Sequence, residues 1–113
     1  MTRFKRGDVV IVDLGMMAKT RPAVVVSIDR ADRDRNMSVV VPMTTEIRGS
    51  ECEVPFPKPP WMRQVSVVNV LGVAGVDNAK IIRRIASFPA DAMRNIVSIL
   101  SRILVLDGNS RRS

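Results

Sequence analysis

Asp8-Val9-Val10-Ile11-Val12-Asp13-Leu14, with Pro22-Ala23-Val24-Val25-Val26-Ser27-Ile28 and Ser38-Val39-Val40-Val41-Pro42-Met43 after it, decides how this chain folds. The three runs are short and rich in Val, with turn-forming or charged residues around them, which is the pattern of strands. Pro22 opens its run, where a missing N–H is tolerated. A strand with one wet face alternates apolar and polar residues. These runs are apolar along most of their length, so burial on both faces is expected, as in a small, tightly curled barrel. Between the second and third runs, Asp29-Arg30-Ala31-Asp32-Arg33-Asp34-Arg35-Asn36 alternates in charge and reads as a solvated hairpin loop.

Further strands are expected at residues 51–54, 65–71 and 79–85, with Gly72 and Gly75 breaking the pattern between the last two. Pro55-Phe56-Pro57-Lys58-Pro59-Pro60-Trp61 holds four of the seven prolines and can only be an extended connection. From residue 89 to 104 the period changes. Met93, Ile96, Val97, Leu100, Ile103 and Leu104 recur at spacings of three and four, the stripe of an amphipathic helix. Pro89 suits its first turn, Asp91 its positive end, and Gly108 its stop. The chain is therefore mainly β with a C-terminal α-helix: five to seven short strands closed into a barrel, one domain over residues 3–106. Residues 107–113 are expected to be a frayed basic tail.

The charge balance narrows function. Lys plus Arg is 18 against 11 for Asp plus Glu, a net of +7 with a pI near 11.0. A small domain this basic meets nucleic acid, an acidic membrane surface or an acidic protein. One cysteine, Cys52, excludes an internal disulfide and points to a reducing, cytoplasmic setting. No apolar run reaches the length of a membrane span or of a signal-peptide core. There is no histidine and no tyrosine, so the usual general base and the commonest zinc ligand are missing. Glu51 and Glu53 with Lys58 faintly resemble a magnesium site, but a charge-blunted edge strand explains them better. Cys52, between them, reads as core. Trp61 either stacks a base or plugs the barrel end, and the plug is the stronger expectation.

Lys5-Arg6-Gly7-Asp8-Val9-Val10-Ile11-Val12-Asp13-Leu14, Thr20-Arg21-Pro22-Ala23-Val24-Val25-Val26-Ser27 and Val41-Pro42-Met43-Thr44-Thr45 together resemble the MazF/PemK/Kid toxin family of type II toxin–antitoxin systems. The stretch Gly72-Val73-Ala74-Gly75-Val76-Asp77-Asn78-Ala79-Lys80-Ile81-Ile82 matches it more weakly. The resemblance spans most of residues 3–106. It implies a small SH3-like (CcdB/PemK-type) barrel and a homodimer. It also implies metal-independent cleavage of single-stranded mRNA, without a cofactor, under the control of a cognate antitoxin. The catalytic positions it implies are Arg21, Thr44 and Asp77, with Lys5, Arg6, Lys19, Thr20, Thr45 and Lys80 as RNA contacts. The chain departs from the family in its first loop, Gly15-Met16-Met17-Ala18-Lys19-Thr20, which is short and lacks the family's Glu. That motivates an alternative, a non-catalytic toxin that binds nucleic acid or gyrase as CcdB does.

Chemistry fits the leading reading. Without a metal, the ribose 2′-OH is the nucleophile, and the enzyme supplies a base, an acid and donors to the crowded phosphate. Arg21 offers a forked, permanently charged donor, Thr44 a hydroxyl, and Asp77 a carboxylate. Arg21 opens one strand and Thr44 closes the next, which puts them at one end of an antiparallel hairpin.

Overall fold

The computed structural model describes residues 4–13, 20–28 and 34–106. Its elements in chain order are β1 (Asp8–Asp13), β2 (Thr20–Val25), β3 (Met37–Thr44), β4 (Glu53–Pro55), β5 (Val67–Asn69), β6 (Ala74–Asp77), β7 (Ile81–Ser87) and α1 (Ala90–Leu104). Single 3-10 turns, Val70–Gly72 and Asn78–Lys80, precede β6 and β7.

All pairings are antiparallel. The order along the sheet is β4-β5-β3-β2-β1-β7, and β6 also pairs with β3. The sheet curls as a barrel does but is not closed: among the described residues no ladder joins β7 to β6 or β4. Asn78 N–H donates to Asn36 O at 3.0 Å, one step past Met37↔Asp77, and continues the β3–β6 pairing into the turn before β7.

Both faces of the central strands are buried, as their continuous apolar runs require. Alternate residues serve two cores. Val9, Val24, Val41 and Met43 join the larger, which α1 covers with Met93, Ile96 and Ile99. Val10, Val12, Ala23, Val25 and Val40 join the smaller, with Ile81 and the half-buried Phe4 and Val76. Cys52 packs against the larger core.

Several expected strands are shortened. The run at 65–71 forms a strand only at Val67–Asn69, because the chain then coils into a 3-10 turn. Gly75, expected as a break, lies inside β6, opposite Val39. The helix ends at Leu104, where Val105 takes a left-handed φ of 55° and Leu106 N–H donates back to Ser101 O at 2.8 Å. This reversal stops the helix before Gly108, which lies outside the described residues. Trp61 is not the plug: it is exposed, and its neighbour Met62 is buried in the core instead.

Ile96 is fully buried under α1. Ile96→Ala is expected to cost about 2–5 kcal/mol of unfolding free energy in urea titrations. Arg94→Ala, on the exposed side of the same helix, is expected to change it by less than about 0.5 kcal/mol.

Candidate active site

Strand β2 stays paired with β1 as far as Asp13↔Thr20, but its ladder with β3 ends at Ala23↔Pro42. Pro22 has no N–H to give towards β3 at this point, so the ladder loses a bond there. Past Pro42, β3 turns to β5 through Met43↔Val68 and Thr44↔Val67. Carrying the β2–β3 register two residues further puts Arg21 across from Thr44. Opposed residues of antiparallel strands share a face. On that extension Arg21 and Thr44 fall on the same face, at the end of the hairpin where the two strands no longer bond to one another. Each strand is still held by its other neighbour, Arg21 by Val12 and Thr44 by Val67.

Arg21 is exposed, and among the described residues no carboxylate pairs with it. Thr44 is half-buried, and its Oγ1 accepts the Glu46 N–H at 3.0 Å. That leaves the hydroxyl proton to be donated outward. Thr44 borders a cleft of about 350 Å³ with Glu46, Arg48, Glu53 and Asn69. Glu46 forms an exposed ion pair with Arg48 Nη2 at 2.7 Å. Glu53 turns its carboxylate onto the loop beneath, accepting the N–H groups of Arg48, Gly49 and Ser50 at 3.0–3.3 Å. Gly49 stands there with φ +71°, a conformation open to glycine at no steric cost. Glu53 is thus committed to the backbone, and Glu51 is exposed. Among the described residues no three His, Cys, Asp or Glu side chains gather as metal ligands would.

The other candidates separate into groups. Thr20, paired with Asp13, and Thr45, next to Thr44, are exposed at the Arg21–Thr44 end. Lys19 lies outside the described residues. Lys5 and Arg6 stand at the opposite end of β1, where Arg6 donates to Val26 O at 3.2 Å. Beside them Asp8 is held by the Lys5 N–H and by Arg84 Nε, both at 2.8 Å. Lys80 enters β7 next to Ile81, which pairs with Val12, so β1 separates it from Arg21.

Asp77 is not brought to the Arg21–Thr44 pair. It faces Met37 at the start of β3 while Thr44 ends that strand, a separation of about 23 Å for seven extended residues. Its carboxylate accepts the Ala79 N–H at 3.0 Å and caps the turn there. Glu46, not among the sequence candidates, borders Thr44's cleft and, unlike Glu53, is not bound to backbone N–H groups among the described residues. Its only signal in the sequence is its place two residues beyond the Pro-Met-Thr strand end.

A family model described as "PemK-like, MazF-like toxin of type II toxin-antitoxin system" matches residues 5–104. The chain belongs to this family. Solved relatives share the fold. A mycobacterial endoribonuclease in complex with its cognate antitoxin is 23% identical, with TM-score 0.76, covering 92% of this chain and 97% of that one. The Mycobacterium tuberculosis toxin MazF-mt6 is 23% identical with TM-score 0.75, covering 88% and 98%. MazF from Deinococcus radiodurans is 20% identical with TM-score 0.78, covering 93% and 99%. In this family member no helix among the described residues is long and apolar enough to cross a membrane.

Glu53→Ala is expected to lower stability by about 1–2 kcal/mol, since three backbone donors lose one charged acceptor in a partly wet loop. Thermal unfolding checks this, and added Mg²⁺ is expected to leave the melting temperature of the native protein unchanged.

Proposed function

We propose that this toxin is a metal-independent endoribonuclease whose reacting phosphate sits between Arg21 and Thr44. The observation that supports the reading is that Arg21 and Thr44 lie at the same end of the β2–β3 hairpin, just past its last paired residues, with a guanidinium that no carboxylate among the described residues neutralises. In the reaction the ribose 2′-oxygen attacks the adjacent phosphorus, and the bond to the 5′-oxygen breaks. A 2′,3′-cyclic phosphate and a 5′-hydroxyl result. Arg21 would hold the non-bridging oxygens in its fork and offset the charge that builds up on them. Thr44 would donate its hydroxyl to the same phosphate. Glu46, bordering Thr44 and not engaged by backbone N–H groups, would take the 2′-OH proton. The +7 charge supports a polyanionic substrate.

The partners follow from the relatives. The mycobacterial endoribonuclease and the Deinococcus MazF were each solved with an antitoxin. We propose the same here: a homodimer acting in the cytoplasm and restrained by a cognate antitoxin whose acidic segment matches the toxin's positive charge.

The test is incubation with a long single-stranded RNA in EDTA, followed by mapping of the ends. Discrete cuts with 2′,3′-cyclic phosphate termini are expected. Arg21→Ala should slow cutting about 10²–10³-fold, the loss that follows removal of a donor to a developing oxyanion. Glu46→Gln should slow it about 10²–10⁴-fold, as loss of a general base does, with RNA affinity little changed. Intact RNA across several substrates would reject the ribonuclease and favour the gyrase- or nucleic-acid-binding alternative. Cutting restored only by added Mg²⁺ would reject the metal-free mechanism.

A further inference from the structure

The proline-rich segment before β5 carries the chain's single tryptophan, Trp61, on an unusually stiff support. Phe56 anchors one side, packing edge-on to Phe88 with ring centroids 5.0 Å apart. Met62 anchors the other by burial in the larger core. Between them the Met62 N–H donates to Pro59 O at 3.1 Å, closing a four-residue turn with Pro60 and Trp61 at its centre. Pro60 sits where a ring presets the backbone of such a turn. Lys58 Nζ then donates to Met62 O at 2.9 Å and clamps the turn from below. Despite this support, Trp61 is 41% exposed.

The indole borders a cleft of about 350 Å³ with Ile11, Pro22, Thr45, Gln64 and Ser66, and Arg63 stands beside it. Pro22 follows Arg21 and Thr45 follows Thr44. Successive side chains at a strand end point to opposite faces, so the cleft opens at the same strand ends but on the other face, and an RNA reaching both passes round those ends. The cleft offers a flat aromatic wall and apolar Ile11 and Pro22. It also offers an amide able to donate and accept, and a cation at the rim. Those are the needs of an unpaired nucleobase: a ring to stack on, an edge to bond, a backbone charge to neutralise. A support already rigid before binding loses little freedom when the base arrives.

We propose that this cleft is a nucleobase subsite. Trp61 stacks the base of a nucleotide flanking the cut phosphate, and Gln64 and Thr45 bond to its edge, which makes Trp61 a specificity-determining residue of this toxin. The proposal rests on the ribonuclease reading above.

The single tryptophan is its own probe. The native dimer is titrated into a dye-labelled single-stranded RNA carrying 2′-O-methyl groups, which cannot be cut. Anisotropy reports binding, and indole fluorescence reports stacking. Saturable quenching with the same midpoint as the anisotropy change is expected. Trp61→Ala should weaken binding about ten- to a hundredfold, the loss seen when a stacking aromatic is truncated, and should shift the sequences cut. Trp61→Phe should recover most of the affinity. A far-UV circular dichroism spectrum matching the native one shows that the exposed position has been changed without unfolding. Arg21→Ala should slow cutting about 10²–10³-fold yet keep the quenching. Binding without quenching, with Trp61→Ala as tight as the native protein, would overturn the subsite and leave the ribonuclease standing. Quenching by an acidic peptide but not by RNA would assign the cleft to a protein partner and overturn it as well. No RNA binding at all would remove both readings.

Discussion

Strand β3 changes partners partway along its length, and the rest of the site depends on that exchange. One edge of β3 bonds β6 from Met37 to Val40 and then β5 at Met43 and Thr44. The other edge bonds β2 from Val40 to Pro42, where that ladder ends. Pro22, whose nitrogen faces β3 in this register, leaves no unsatisfied N–H where the strands part.

A sheet buried on both faces makes that opening rigid. Val24 and Val41 are locked on one side, Val25 and Val40 on the other, in interiors where a single methylene is felt. Arg21 and Thr44 are therefore presented by strand ends rather than by a mobile loop. The acidic groups nearby are divided by role. Glu53 ties down the loop that follows β3, whereas Glu46 borders Thr44 and keeps its carboxylate at the surface beside Arg48. Trp61, on its clamped turn, extends the same logic to the neighbouring cleft: a functional group held by packing behind it.

Much of this was legible in the residues, and the limits have physical causes. β1, β2 and β3 could be read because both of their faces are buried, which leaves an uninterrupted apolar run in the sequence. The helix could be read because one stripe is buried. β6 could not, because Ala74-Gly75-Val76-Asp77 is short and mostly exposed, and its strand character comes from β3 alongside it. That Arg21 and Thr44 lie at one hairpin end followed from strand order, but the distance of Asp77 from that end required the register, since nothing local says that Asp77 faces Met37. Trp61 and Met62 are adjacent apolar residues in a proline-rich stretch without periodicity. Only the turn from Pro59 to Met62 decides which of them turns inward. Glu53's hold on three N–H groups depends likewise on the loop's path and not on spacing.

The central claim is that Arg21 and Thr44 act on one phosphate as a unit across the gap between β2 and β3. A double-mutant cycle on kcat/KM for RNA cleavage, with Arg21→Ala, Thr44→Ala and the pair, tests it most directly. The account predicts strong non-additivity: the double variant should be scarcely slower than the worse single variant. Losses that multiply independently would mean that the two side chains serve separate steps or separate sites, and would contradict the account.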